Sequence, residues 1–213
     1  MSRPGTTFRP PGPPSYGPTV NREHLDLCGS PEWRQILADH VLPFALAGAE
    51  LGDDVLEIGP GPGTTTDLLR GDATRLTAIE LDPELAAALA DRLAGTNVEV
   101  VNADATAMPF EDGRFTGAVS LTMLHHVPTA ALQDRLFAEV ARVVRPGGEF
   151  VASDSVASTD LAALHRDDIY NPVDPDTVAD RLRAAGFAAV EVRVNPFGWV
   201  ARATSRQRKD DES

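Results

Sequence analysis

Short apolar runs alternate along the chain with longer segments of helical period. Val55–Ile58, Arg75–Glu80, Val98–Val101, Gly117–Leu121 and Glu149–Ser153 carry apolar residues at nearly consecutive positions, the pattern of strands covered on both faces. The segments between them predict helices. Thr64–Leu69 follows a glycine-rich turn, and Pro83–Leu93 is rich in Ala and Leu, with Asp82 as N-cap and Pro83 at the first helical position. Ala131–Val144 places Leu132, Leu136, Val140 and Val143 on one face, and Arg145-Pro146-Gly147-Gly148 predicts its end. Strands alternating with helices of this length predict βαβ units and a mostly parallel sheet. The last part of the core differs. Asp176–Ala185 predicts a helix closed by Gly186, but only Asn195-Pro196-Phe197-Gly198 separates the strand-like runs Ala189–Val194 and Trp199–Ala203. That connection is too short for a crossover helix, so the sheet is expected to end in an antiparallel hairpin.

The flanks carry no such pattern. Residues 1–20 contain six prolines with Gly and Ser and few aliphatics, and residues 205–213 are polar and mixed in charge; both are expected to be flexible, because neither can bury enough apolar area to offset its ordering entropy. Residues 21–204 are left as a single domain. A chain of 213 residues buries roughly 70% of its unfolded surface on folding, so it needs no disulfide or metal to hold a core. The one cysteine, Cys28, rules out an intramolecular disulfide and any multi-thiolate metal site. No apolar run approaches the roughly 18 residues of a membrane span, and the start of the chain has no apolar stretch of the secretory kind; the expected location is cytoplasmic. With 19 basic against 32 acidic residues the net charge is −13, a surface that repels phosphate backbones and argues against a nucleic-acid partner. Nothing in the chain indicates an oligomeric state.

In open parallel sheets ligands bind beyond the carboxyl ends of the strands, so the residues after each strand are the candidates. The first strand runs into Gly59-Pro60-Gly61-Pro62-Gly63. Such a loop lets a ligand approach the backbone and opens onto the free N–H groups of a helix start; it also serves as a plain tight turn. The GxGxxG dinucleotide fingerprint fails in both registers, since Thr64 and Thr66 stand where the third small residue belongs. No Lys is placed for a phosphate-binding loop. A nucleoside ligand without a diphosphate suits the loop best. At the end of the second strand Glu80, followed by Leu81 and Asp82, can accept from the vicinal hydroxyls of a ribose, and after the third strand Asp104 with Ala105 can read an adenine edge.

Taken in order, Glu57-x-Gly59-x-Gly61-x-Gly63, the acidic strand end Glu80, the pair Asp104-Ala105 with Met108-Pro109-Phe110 behind it, Leu124-His125-His126-Val127 and Arg142–Gly148 resemble a class I S-adenosylmethionine-dependent methyltransferase. The resemblance runs over roughly residues 32–203 and is greatest to the ubiquinone/menaquinone-biosynthesis-like branch. It implies a Rossmann-like, doubly wound, seven-stranded sheet and S-adenosylmethionine as co-substrate. It also implies Gly59, Gly61 and Gly63 as the cofactor's floor, Glu57 near its amino group, Glu80 and Leu81 at the ribose, Asp104 and Ala105 at the adenine, and Leu121 at the methionine side. The [DNS]PP[YFW] motif of amino-methylating nucleic-acid enzymes is missing after the fourth strand, where the chain reads Ser120-Leu121-Thr122-Met123. A small-molecule acceptor is therefore expected.

Methyl transfer from a sulfonium is an in-line displacement in which alignment supplies much of the acceleration, and a base is needed only when the acceptor must lose a proton. His125, His126 and Asp154 are the candidates for that task; the histidines serve equally as supports for their loop. As a metal site the His pair is expected to fail, because adjacent side chains diverge and no third ligand is evident from spacing. Further residues for the acceptor side are Tyr16, Trp33, His165 and Tyr170, with residues 155–175 as a cap-like insertion short enough to leave either an open site or a lid completed by a helix around Trp33–Ala38. The competing function is a cofactor-binding regulatory module of the same fold without turnover; a nicotinamide oxidoreductase is disfavoured by the failed fingerprint.

Overall fold

A computed structural model describes residues 20–206. Seven strands form one sheet: β1 (Asp54–Ile58), β2 (Arg75–Glu80), β3 (Val98–Asn102), β4 (Phe115–Leu121), β5 (Val144–Ser155), β6 (Phe187–Val194) and β7 (Gly198–Ser205), in the order β3-β2-β1-β4-β5-β7-β6. The first five are parallel to one another, while β7 is antiparallel to both β5 and β6. The expected α/β sheet with its closing hairpin is thus present. The chain winds outward from β1 to β3 and then returns to the other side of β1 with β4, which puts the topological switch between β1 and β4.

Helices cover both faces. Alongside α1 (Arg22–Cys28), α2 (Pro31–Ile36) and α3 (Leu42–Ala45) come α4 (Thr64–Leu69), α5 (Pro83–Arg92), α6 (Ala130–Val143), α7 (Thr159–Leu164) and α8 (Pro175–Ala185). The caps are legible chemistry: Asn21, Ser30, Asp82, Thr129, Ser158 and Asp174 each accept a backbone N–H of the first turn. Strand residues divide between faces, with Leu56, Ile58 and Ala118 buried against Leu136, Phe137 and Val140 on one side, and Val55, Val119 and Val151 against Ala45, Leu69 and Leu121 on the other. Each such large side chain contributes roughly 1.5–3 kcal/mol by leaving water.

Three details depart from the sequence reading. Helix α6 passes directly into β5 at Val144, so Arg145–Gly148 belongs to the strand and not to a terminating turn; the register between β4 and β5 slips there to accommodate it. The helix expected around Trp33–Ala38 is longer, continuing from α2 through a π-helical turn at Leu37–Val41 into α3. Strand β7 extends to Ser205, whose hydroxyl reaches the Ala141 and Val144 carbonyls. Tyr16, the proline-rich residues 1–19 and residues 207–213 lie outside the described residues. Among the described residues no helix is long and apolar enough to cross a membrane.

Candidate active site

The carboxyl ends of β1, β2, β3 and β4 open into one cavity lined from all four strand ends. Gly59, Gly61, Glu80, Leu81, Asp104, Ala105 and Leu121 all line it, as do Trp33 and Cys28 from the N-terminal helices. Seven of the nine residues proposed for the cofactor are therefore gathered in one place. Glu57 and Gly63 are not among the lining residues. Glu57 is buried in β1 below the loop, and Gly63, the N-cap of α4, has its open side against Leu89 and Arg92 of α5.

The glycine loop is held by the residue expected to hold the ligand. Glu80 Oε2 accepts the Gly61 N–H at 3.0 Å and Oε1 accepts the Asp82 N–H at 2.9 Å, so one buried carboxylate pins the loop after β1 and the turn before α5. Each oxygen keeps a further lone pair for a ligand hydroxyl. Burial raises the pKa of Glu80, against the pull of these N–H donors. Gly59 and Gly61 both have positive φ, 67° and 53°, a region that costs other residues strain. At Gly59 a Cβ would strike Met123, whereas at Gly61 it would meet no protein atom within 4 Å and would project into the cavity. The bare backbone at Gly61 is thus what leaves room for a bound group.

Beyond β3, Asp104 Oδ1 accepts the Thr106 N–H at 2.7 Å, an Asx turn that aims this half-buried carboxylate along the cavity wall. The segment is clamped from behind. Arg142 of α6 donates to the Met108 and Phe110 carbonyls at 3.0 and 2.7 Å and to Glu139, which in turn accepts the Met108 N–H at 2.7 Å. The sequence singled out Arg142 only as the first residue of the Arg142–Gly148 block; its anchoring of the Asp104–Phe110 loop spans over 30 positions and leaves no local signal.

After β4 the backbone is strained. Thr122 sits at φ 55° and donates its N–H to the Ser153 carbonyl at 2.7 Å. A β-branched residue in this region is unusual, at a cost of about 1–3 kcal/mol. Asn tolerates it better, so Thr122→Asn is expected to stabilise the protein by about 1 kcal/mol, read as a higher urea midpoint at unchanged slope.

Thr122, Trp33 and Cys28 also border a second cavity, lined by His24, His125, Asp154, His165 and Tyr170. The acceptor-side candidates Trp33, Asp154, His165 and Tyr170 therefore meet there, next to the first cavity. Adjacency does not drive His125 and His126 apart: a short 3-10 turn at Leu124–His126 leaves their rings 4.2 Å apart, and His24 and His165 close in from α1 and the end of α7. Burial lowers the His24 pKa to about 4, with His165 and His125 adding to the effect, and burial with the neighbouring rings pushes His126 down as well; both rings are neutral at pH 7. Burial likewise raises Cys28 to about 11, which keeps it a thiol and not a nucleophile.

Comparison with known proteins agrees with this geometry. The model of a family described as Methyltransferase domain matches residues 56–152. Demethylmenaquinone methyltransferase of Clavibacter sepedonicus is 28% identical over 199 residues, covering 79% of this chain and 77% of that protein. An rRNA adenine N-6-methyltransferase of Saccharopolyspora erythraea is 46% identical over 76 residues, covering 33% of this chain and 20% of that protein. Of the other curated relatives compared, the chain spans between 22% and 54% of the length. Among solved structures, Haemonchus contortus phosphoethanolamine N-methyltransferase 2 in complex with phosphomonomethylethanolamine and S-adenosylhomocysteine superposes with a TM-score of 0.66 at 17% identity, covering 82% of this chain and 53% of that one, a likeness of fold. Residues 56–152 match the methyltransferase-domain model, and the sheet that carries them has the Rossmann-like fold of that solved structure.

Proposed function

We propose that the chain binds S-adenosylmethionine in the first cavity and transfers its methyl group to a small molecule held in the second. The observation that carries the reading is the meeting of Gly61, Glu80, Asp104 and Leu121, from four strand ends, in one cavity. In this reading Glu80 accepts from the ribose hydroxyls, Asp104 from the adenine amino group, the Ala105 N–H faces a ring nitrogen, and Gly59 and Gly61 give the floor. Leu81 packs at the ribose and Leu121 along the methionine chain. Glu57 acts from below, through the loop. When bound, the cofactor supplies an electrophilic methyl on sulfur; the protein's part is to align the acceptor and exclude water.

A small acceptor is favoured over nucleic acid by the net charge of −13 and by the cover that α1, α2 and residues 155–174 place over the second cavity. Residues 21–204 work as one domain in this reading, with 155–175 as its cap. Calorimetry with S-adenosylmethionine and S-adenosylhomocysteine, with NAD as control, tests it: both sulfur ligands are expected to bind and NAD is not. Asp104→Ala is expected to weaken both by roughly 1–3 kcal/mol, the cost of an amino group left without its acceptor; unchanged affinity removes the adenine assignment. Binding without turnover over a panel of phenols, amines and carbon acids leaves a regulatory module instead.

A further inference from the structure

The side chains of His24, His125, His126 and His165 bring one ring nitrogen each to within 4.8 Å of all the others. We propose that they form a binding site for a divalent transition metal, with zinc the best fit. The inference concerns the histidines alone and does not rest on what the chain methylates.

Three observations carry it. The first is the orientation of the rings. Three N–H donors converge on Asp154: the His125 N–H at 3.0 Å, the Ser155 N–H at 2.8 Å and His125 Nδ1 at 2.7 Å. His165 Nδ1 donates to the Leu161 carbonyl at 2.6 Å, and His126 Nδ1 to the Ile169 carbonyl at 3.2 Å. With Nδ1 carrying the hydrogen in each case, Nε2 is left with its lone pair, the form a metal requires. The second is what those lone pairs meet. His24, His125 and His165 are all more than nine-tenths buried, yet His125 Nε2 and His165 Nε2 have no hydrogen-bond partner. Buried polar atoms without partners are rare and costly, and two within one histidine cluster call for a ligand. The third is charge. Four neutral imidazoles leave an ion's two positive charges uncompensated, and two buried carboxylates stand behind the rings: Asp154 on His125, and Asp168, 3.7 Å from His24 Nδ1 and fixed by Asn21.

Imidazole donors suit Zn, Cu, Fe and Ni, and do not suit Mg or Ca. A tetrahedral zinc with nitrogens at about 2.0–2.1 Å sets them about 3.4 Å from one another; the four nitrogens, which lie within 4.8 Å, would draw together on binding. Because the ligands come from α1, from the turn after β4 and from the end of α7, one ion would fasten both covering segments to the carboxyl edge of the sheet.

Titration of the tag-free, cofactor-free chain with Co²⁺ tests the site. The expected result is an intense visible band of four-coordinate cobalt that saturates at one ion per chain, is displaced by Zn²⁺, and comes with a higher Tm. The double variant His125→Gln, His165→Gln is expected to lose band and Tm rise, while His40→Gln, at an exposed histidine elsewhere, keeps both. The wild-type titration needs no variant to fold. Only a weak six-coordinate spectrum, no Tm response, or an undiminished band in the double variant overturns the proposal. Since no cofactor is present, these outcomes are independent of whether S-adenosylmethionine binds.

Discussion

Glu80→Ala is expected to lower affinity for S-adenosylmethionine by about 100-fold or more and to destabilise the free protein as well. Two losses combine. In the free protein the Gly61 and Asp82 N–H groups both end on this carboxylate, and hydrogen bonds to a charged group are each worth roughly 1.5–3 kcal/mol. Without them the glycine loop is no longer tied to the end of β2, so the cavity floor loses its fixed shape before a ligand arrives. The ribose hydroxyls then lose their acceptor, and about 2.7 kcal/mol of lost binding is the 100-fold change. Glu80→Gln keeps one acceptor oxygen but turns an amide N–H₂ toward one of the two backbone donors, so it should fall between wild type and Ala. Calorimetry and urea unfolding on the three proteins measure the two parts separately. Wild-type affinity in Glu80→Ala would remove the ribose role, and wild-type stability would remove the pin.

The second large effect is on pH dependence. Glu57 is fully enclosed; burial, with the Glu80 and Asp67 carboxylates adding to it, raises its pKa from an ordinary 4.5 to about 7, and its Oε2 has no hydrogen-bond partner. Below pH 4.5 the group is protonated in folded and unfolded chains alike. Between pH 4.5 and 7 the unfolded chain releases this proton while the folded one keeps it, so stability falls as pH rises, and above 7 the loss is complete. The gap between the two pKa values corresponds to about 3 kcal/mol. Glu57→Gln removes the titration while keeping the shape. Relative to wild type it is expected to gain about 3 kcal/mol between pH 4.5 and pH 8, whatever constant offset the amide brings. Urea midpoints across that range read the difference, and parallel curves for the two proteins would show that Glu57 ionises freely in the folded state.

What the sequence disclosed and what it hid follow from the range of the interactions. Strands β1, β2 and β4 are covered on both faces, so their apolar runs are continuous and stand out without context. The caps Asp82 and Thr129 act within three residues of themselves and are equally plain. The ligand-side residues could be located because parallel strands deliver their ends to one edge, so Gly61, Glu80 and Asp104, far apart in the chain, needed only the topology to meet. Other features needed distances that no local pattern encodes. The Arg142 clamp joins α6 to a loop 32 and 34 positions earlier, Glu80 grips a loop 19 positions before it, and the histidine cluster joins three segments spanning positions 24 to 165. Reasoning from adjacency alone separated His125 from His126, because it took no account of the 3-10 turn that tilts one ring toward the other. The passage of α6 straight into β5 was hidden for the opposite reason: Pro146, Gly147 and Gly148 give a strong local stop signal, and pairing with β4 overrides it.

The sheet order also dictates when the molecule can be finished on the ribosome. Strand β7 lies between β5 and β6, and β6 touches the sheet only through β7. While β6 is being synthesised it has no docking partner, and the flank of β5 stays open as a row of unpaired backbone groups, a template for any passing strand. Both edges are sealed in one event, by residues 198–205, so a nascent chain interrupted just before Gly198 would carry two sticky strands where the complete one carries none in its interior.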